Sequence, residues 1–417
     1  MSTPATSELS PLPLRERAEL TDRWLASRLE TLLPELMRRE GIDMWILVAR
    51  EYNEDPVLAT MVPASWLGAV RRRTILLFHD RGGQAGVERL AVARYAVGES
   101  IEGAWDPATQ PDQWARLAEL VAERNPSRIA LNVSPTFALA DGLSASEHSA
   151  LLQALGEHSA RVVPAERLAV GWLETRTADE LALYPSIVAM ARRLLAEGLS
   201  NEAVTPGLTT TSDLLWWYRE QVAALHLDTW FQPSVSVQRA GAAEGDVIIE
   251  PGDLIHVDFG ITYLGLNTDA QQHAYVLRPG EDAAPPGLVA ALAAGNQLQD
   301  ILLAEFVAGR TGNEILAAAL KSGAAAGLDG TIYTHPLGLH GHAAGPTIGL
   351  WDHQEGVPGQ GDYPLFANTA YAIELNVQVE IPEWGQPVRI MLEEDALFDG
   401  ESVLWLDGRQ TELHLIR

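Results

Sequence analysis

Apolar residues follow two different spacings in the first part of the chain. They recur at helical intervals over residues 17–41, and four short segments that are apolar almost throughout then follow. Short apolar segments bounded by polar residues are typical of buried strands. The pattern therefore predicts a small α/β domain of residues 1–168, with strands at 44–50, 73–80, 89–97 and 128–134.

The pattern changes after this region, where Thr177 and Glu180 have the spacing of a helix-capping pair. Residues 169–417 then carry a weak internal repeat. Gly-x-Thr occurs at 207–209 and again at 309–311, each time before an acidic residue, a helix and several strands. Two readings stay open, because Gly-x-Thr is also a common start of a helix. The repeat predicts an α+β domain of two pseudo-symmetric halves, and the alternative is chance.

Four acidic residues lie within apolar segments of this second domain. Asp258 precedes a glycine, Asp269 follows eleven residues later, and Glu374 and Glu393 interrupt two later apolar runs. A hairpin would bring the two aspartates together, and neighbouring buried carboxylates repel each other unless a cation lies between them. Arg389 is the one basic residue close in sequence and cannot neutralise four charges. The pattern predicts a bound metal.

The donor types narrow the kind of metal site. The chain has no cysteine, so any metal must be held by oxygen and imidazole. Such ligands suit Mn²⁺ or a similar divalent ion, and bridging carboxylates suit two ions about 3.5–4 Å apart. The imidazole is expected from one segment that carries four of the eleven histidines, namely His335, His340, His342 and His353.

Charge and hydropathy bear on partners and location. The net charge of −27 argues against nucleic acid and anionic membranes as partners, since both bind clusters of Lys and Arg. No apolar run approaches the length of about 18 residues that a membrane span requires. We expect a cytoplasmic protein.

The order of these motifs resembles metallopeptidase family M24, which includes Xaa-Pro aminopeptidases, prolidases and methionine aminopeptidases. The resemblance rests on the two aspartates, a Gly-His-x-x-Gly segment at 341–345, Glu374 in "IEL" and Glu393 in "LEEDALF". It covers essentially the whole chain. It implies a pseudo-twofold pita-bread catalytic domain after a creatinase-like N-terminal α/β domain, two divalent metal ions, a small peptide substrate and a homodimer.

The same resemblance assigns residues. It implies the metal ligands Asp258, Asp269, His342, Glu374 and Glu393. Glu374 is also expected to accept and return a proton, with His340 or His335 stabilising the oxyanion. His340 lies two residues before His342 and would share a strand face with it, so the choice of ligand between them stays open. His353 is either a substrate-side residue or an exposed loop residue.

Two departures from the family pattern leave the substrate open. The family usually has a histidine just before the first metal strand, but residues 236–253 contain none, and Gln271 stands where the family has a threonine. His256 and His273 share a strand face with the metal aspartates and could take over those roles, or could be structural. The carboxylates and histidines predict a dinuclear metal hydrolase, and the family resemblance implies that it cleaves Xaa-Pro bonds. The alternatives are another small amide as substrate, or a metal-free binding module like the pita-bread domains of histone chaperones.

Overall fold

The computed structural model describes residues 10–239 and 245–417, which divide into two compact units. The first unit is Leu12–Thr177, and Ala178–Arg417 belongs to the second. Residues just after 168 pack with the first unit: Arg28 Nη1 donates to the carbonyl oxygen of Thr175 at 2.9 Å. The domain bounds 1–168 and 169–417 stay a prediction, and this contact explains why the compact unit extends further.

The first unit contains an α/β fold. Its helices are α1 Leu14–Ser27, α2 Leu33–Arg39, α3 Pro56–Ala59, α4 Gln113–Arg124, α5 Ala145–Leu155 and α6 Glu166–Glu174. Its strands are β1 Met44–Arg50, β2 Arg73–Asp80, β3 Val87–Val92, β4 Glu102–Gly103, β5 Ile129–Leu131 and β6 Val162–Pro164.

These six strands form one mixed sheet in the order β4-β3-β2-β1-β5-β6. β1 pairs antiparallel with β2 and parallel with β5. Every residue of β1 except Arg50 is buried, which explains why its sequence is apolar without alternation. The helix expected over 17–41 is interrupted by a π-helical turn at Arg28–Leu32. Pro34 follows that turn and has no N–H to continue the regular bonding.

The second unit combines helices with antiparallel sheets. Its helices are α7 Ala178–Leu181, α8 Tyr184–Gly198, α9 Thr211–Ala224, α10 Pro286–Leu303 and α11 Gly312–Ala325. Its strands are β7 Ser234–Gln238, β8 Leu254–Phe259, β9 Thr262–Tyr263, β10 Leu266–Asn267, β11 Ala270–Val276, β12 Asp329–Ile332, β13 His335–Leu337, β14 Thr369–Ala372, β15 Leu375–Ile381, β16 Gln386–Leu392, β17 Asp395–Phe398, β18 Val403–Trp405 and β19 His414–Ile416.

The strand order of this unit shows two related halves. One sheet runs β19-β11-β8-β7, a second runs β12-β15-β16, and a third runs β13-β14-β17-β18. In each half a capped helix precedes the strands: Thr210 caps α9 through Asp213, and Thr311 caps α11 through Glu314. The caps explain why the acidic residue of the repeat is shifted by one, because the capping threonine of the first half is the residue after Gly-x-Thr. The predicted fold, an α/β domain and an α+β domain with internal symmetry, is confirmed.

The turn between β8 and β9 sets the position of Asp258. A Cβ atom at Gly260 would lie 2.1 Å from the carbonyl oxygen of Thr268, which is too close for any side chain. The glycine after Asp258 and Phe259 therefore lets the chain pass directly against the start of β11. Among the described residues, no helix has both the length and the apolar composition needed to cross a bilayer.

We predict that Gly260→Ala lowers the free energy of unfolding by about 1–3 kcal/mol, because the backbone around Thr268 must move to admit the methyl group. Urea denaturation would measure the loss. Gly265→Asn is a matched control in the next turn, since Gly265 has a φ of +74° that asparagine tolerates and open space around it. Equal stability of Gly260→Ala and wild type would contradict the close approach.

Candidate metal centre

Asp258 and Asp269 lie on one face of the β8–β11 hairpin. Gln271 is the residue directly opposite Asp258, and Ala270 is opposite Phe259. Asp269, immediately before β11, is therefore diagonal to Asp258 and on the same face of the sheet. The hairpin therefore brings the two aspartates together as expected. Gln271, two residues after Asp269, lies on the same face and directly opposite Asp258.

Glu374 and Glu393 enter the same region from the second half of the unit. Glu374 lies between β14 and β15, and its carbonyl oxygen accepts hydrogen bonds from the Tyr333 N–H at 3.1 Å and the Thr334 hydroxyl at 3.0 Å. Glu393 exchanges backbone hydrogen bonds with Gln271, at 2.9 and 3.3 Å. The start of β11, next to Asp269, is thus joined directly to the residue that follows β16.

His335 is the histidine that faces these carboxylates. It begins β13, and its Nε2 atom lies 3.5 Å from Asp269 Oδ2 and 3.4 Å from Glu393 Oε1. Its Nδ1 atom is 3.0 Å from the carbonyl oxygen of Pro336 and donates to it. In the neutral ring, Nε2 then presents a lone pair to two carboxylates. That arrangement is repulsive unless a proton or a metal ion lies between them.

The sequence motif suggested His342 as the imidazole ligand, but the ring that lies beside the carboxylates is that of His335. His342 is exposed, and its Nε2 atom lies 3.4 Å from the Tyr333 hydroxyl. Its ring packs edge-on against His335, at 4.6 Å between centroids and 89° between planes, and against Trp230 at 5.0 Å. The physical reason is that β13 carries His335 into the sheet beside β14, whereas residue 342 follows the end of that strand.

The other two histidines of the segment differ in their burial. His340 is partly buried, and its carbonyl oxygen accepts the Gly338 N–H at 3.0 Å. Its catalytic role stays a prediction. His353 is exposed beside Asp352, with 3.1 Å between Nδ1 and Oδ1, which agrees with the loop reading.

The side chains present fit a divalent cation. Four buried atoms here have no hydrogen-bond partner: Asp258 Oδ1, Asp269 Oδ1, His335 Nε2 and Glu393 Oε1. Buried polar atoms are nearly always paired, so four of them facing one region mark a missing positive partner. Asp269, His335 and Glu393 each offer a ligand atom within 4.8 Å of the others, all three being buried. Oxygen and imidazole donors of this kind bind divalent ions such as Mn²⁺ or Zn²⁺.

The shifted pKa values of the buried carboxylates also favour a bound cation. Burial, with repulsion from Glu374, raises the pKa of Asp258 to about 7. Burial and the neighbouring carboxylates raise the pKa values of Asp269 and Glu393 well above normal, and burial raises that of Glu374. Burial lowers the pKa of His335, but Glu393 and the other carboxylates outweigh it, so the net shift is upward. Without a cation, the protein must hold protons in this cluster.

Three supporting residues were not assigned such contacts from sequence. Asp395 accepts the Asp269 N–H at 3.1 Å and so fixes the backbone of that residue. Gln271 Nε2 donates to Glu374 Oε1 at 2.9 Å and to Glu393 Oε2 at 2.6 Å. Tyr333 places its hydroxyl beside His342. The departure from the family threonine drew attention to Gln271, but no sequence signal marked Tyr333.

Comparison with protein-family models identifies the class of protein. The model for metallopeptidase family M24 matches residues 187–397. The chain belongs to this family, as its motif order predicts. A search of curated protein sequences found no match.

Solved structures of low sequence identity share the fold. An X-Pro aminopeptidase from Thermotoga maritima has a TM-score of 0.65 at 18% identity, over 91% of this chain and 99% of that one. A Xaa-Pro dipeptidase from Bacillus anthracis has a TM-score of 0.58 at 18% identity, over 96% and 99%. The N-terminal domain of the FACT complex subunit SPT16 from Cicer arietinum has a TM-score of 0.53 at 12% identity, over 93% and 95%. The likeness therefore covers nearly the whole chain, which consists of an N-terminal α/β domain followed in sequence by a pita-bread domain.

We predict that Asp258→Asn changes the pH dependence of stability in chelator-treated protein. The folded pKa of Asp258, about 7, lies above the unfolded value of about 4, so protonation stabilises the folded state. This contribution is complete below pH 4 and is lost as the pH rises through 7. Wild type should therefore lose stability relative to Asp258→Asn between pH 4 and 8, as measured by urea denaturation at each pH.

Added Mn²⁺ provides the control for this titration. Metal binding requires deprotonated carboxylates, so with Mn²⁺ present wild type should gain stability over Asp258→Asn as the pH rises. A stability difference between the two proteins that stays constant with pH in chelator would show that Asp258 is not a buried, perturbed carboxylate.

Proposed function

We propose that this chain is a dinuclear metal-dependent peptidase that cleaves bonds preceding proline. The observation that carries the proposal is the convergence of four carboxylates and His335, with four buried atoms lacking a partner. The names of the X-Pro aminopeptidase and Xaa-Pro dipeptidase relatives support the substrate class. Mn²⁺ is our proposed metal because the donors are mainly oxygen.

Each residue of the centre has a role in this proposal. Asp258, Asp269, His335, Glu374 and Glu393 hold the metal ions. Bound divalent ions would supply Lewis acidity, which polarises a carbonyl and makes water acidic. Glu374 accepts a hydrogen bond from Gln271 at Oε1. Its Oε2 atom would take the proton from the attacking water and return it to the leaving nitrogen.

Substrate contacts are proposed for the aromatic side chains around His342. Tyr333 and Trp230 each pack on the ring of His342, which itself packs on His335. His342 is exposed and can donate to the carbonyl oxygen of a bound peptide, a role that sequence reasoning gave to His340 or His335. A homodimer, as the family resemblance implies, is part of the proposal.

A metal-free binding module is the second candidate, because the similar SPT16 domain shows that the fold alone does not define an activity. The donor set favours the enzyme. A binding module gains nothing from burying Asp258, Asp269 and Glu393 together without cations, since their repulsion destabilises the fold.

We predict different losses for the two histidines. His335→Ala should abolish tight Mn²⁺ binding in calorimetric titration and with it peptidase activity, because it removes a ligand. His342→Ala should keep the metal stoichiometry but lower kcat/KM by about 10²–10³-fold, the effect of losing one oxyanion donor. The reverse pattern would restore the assignment of His342 as the ligand.

A substrate panel tests the activity itself. Xaa-Pro dipeptides, longer Xaa-Pro peptides and matched Xaa-Ala peptides would be incubated with Mn²⁺-loaded protein. We expect hydrolysis of the proline substrates only, and its loss in Asp269→Asn. Metal binding without cleavage of any of these peptides would redirect the proposal to another small amide.

A further inference from the structure

Behind the carboxylates runs a continuous chain of polar side chains. The Ser236 hydroxyl lies 3.4 Å from His256 Nδ1, and His256 Nε2 lies 2.9 Å from Gln271 Oε1. The amide nitrogen of Gln271 then donates to Glu374 Oε1 at 2.9 Å and to Glu393 Oε2 at 2.6 Å. One amide group thus contacts two carboxylates from different segments of the chain, one between β14 and β15 and one between β16 and β17.

The orientation of every group in this chain follows from its partners. With metal ions bound, Glu374 and Glu393 would be ionised and could only accept hydrogen bonds, so the Gln271 nitrogen must face them and its oxygen must face His256. His256 Nε2 therefore carries the proton and donates. Its Nδ1 atom is left as the acceptor for Ser236. Reversing the amide would place its oxygen against two carboxylates, so the carboxylates decide which amide atom faces them, and the His256 N–H holds the amide oxygen on the opposite side.

We propose that Gln271, oriented by His256, is a positioning residue that holds Glu374 and Glu393 in place for the metal ions. This inference rests on the proposed function. A primary amide has two N–H groups and can hold both carboxylates at once, whereas the threonine expected here has a single hydroxyl hydrogen. The backbone of Gln271 is paired with Glu393, so the side chain starts from a fixed point.

His273 offers a matched control on the same face of the sheet. It lies directly opposite His256, and its ring is 5.1 Å from the His256 ring. Its own nitrogens are occupied by backbone groups: Nδ1 lies 3.2 Å from the Ile255 carbonyl, and Nε2 accepts the Met391 N–H at 3.0 Å. His273 is therefore also buried, but its ring nitrogens bond to backbone groups and not to the Gln271 side chain.

The test is calorimetric titration of chelator-treated full-length protein with Mn²⁺, with folding checked by circular dichroism. Gln271→Met keeps the length of the side chain but removes both N–H groups, and we expect the Kd for Mn²⁺ to rise about 10- to 100-fold. His256→Phe should raise Kd in the same direction. His256→Gln retains an N–H donor and should restore most of the affinity. His273→Phe should lower the unfolding temperature without changing Kd.

The double variant Gln271→Met/His256→Phe shows whether the two residues act as one unit. Because His256 acts through Gln271, the double variant should bind Mn²⁺ no more weakly than Gln271→Met alone. If Gln271→Met does not fold, Gln271→Asn takes its place with the same expectation, since its shorter side chain cannot reach both carboxylates.

Two results would overturn the inference: a Kd for Gln271→Met within about twofold of wild type, or equal weakening by His256→Phe and His273→Phe. Both leave the proposed function intact, because wild type still binds Mn²⁺. Failure of wild type itself to bind Mn²⁺ would instead remove the proposed function, and the inference with it.

Discussion

The mutual repulsion of carboxylates in an apolar interior is the constraint around which the second unit is organised. Asp269 and Glu393 are both buried, and their pKa values are raised well above normal by burial and by the neighbouring carboxylates Asp258 and Glu374. Such a cluster is stable only with protons or with a cation. A cation is favoured by two unpaired atoms that face the same region, Asp258 Oδ1 and His335 Nε2. A carboxylate oxygen and the lone pair of a neutral imidazole are both acceptors, so they cannot form a hydrogen bond with each other.

The fold brings these groups together by joining its two halves at the centre. Backbone pairing of Gln271 with Glu393 connects the first half to the second, and the Gln271 side chain reaches Glu374 as well. A similar fold occurs in a FACT subunit domain, so the architecture by itself does not define an activity. The donor atoms, rather than the chain path, indicate the chemistry of this protein.

Sequence reasoning predicted local features well and contacts between distant segments poorly. Strands 44–50 and 73–80 have their predicted bounds, because uniform apolar burial leaves a clear pattern. The carboxylates were found because charge in an apolar run is conspicuous. The pattern favoured His342 as the ligand, with His340 as the alternative, whereas His335 lies against the carboxylates, because the position of each histidine depends on where β13 begins and ends. The contacts of Gln271 required knowledge of strand register, which sequence spacing does not give.

The most direct test of a metal centre is X-ray diffraction from crystals grown with Mn²⁺, recorded on both sides of the manganese absorption edge. We predict anomalous peaks between Asp258, Asp269, Glu374 and Glu393, with His335 Nε2 about 2.0–2.3 Å from one of them. An ordered site without an anomalous peak, or a peak bound by His342 instead, would contradict this account.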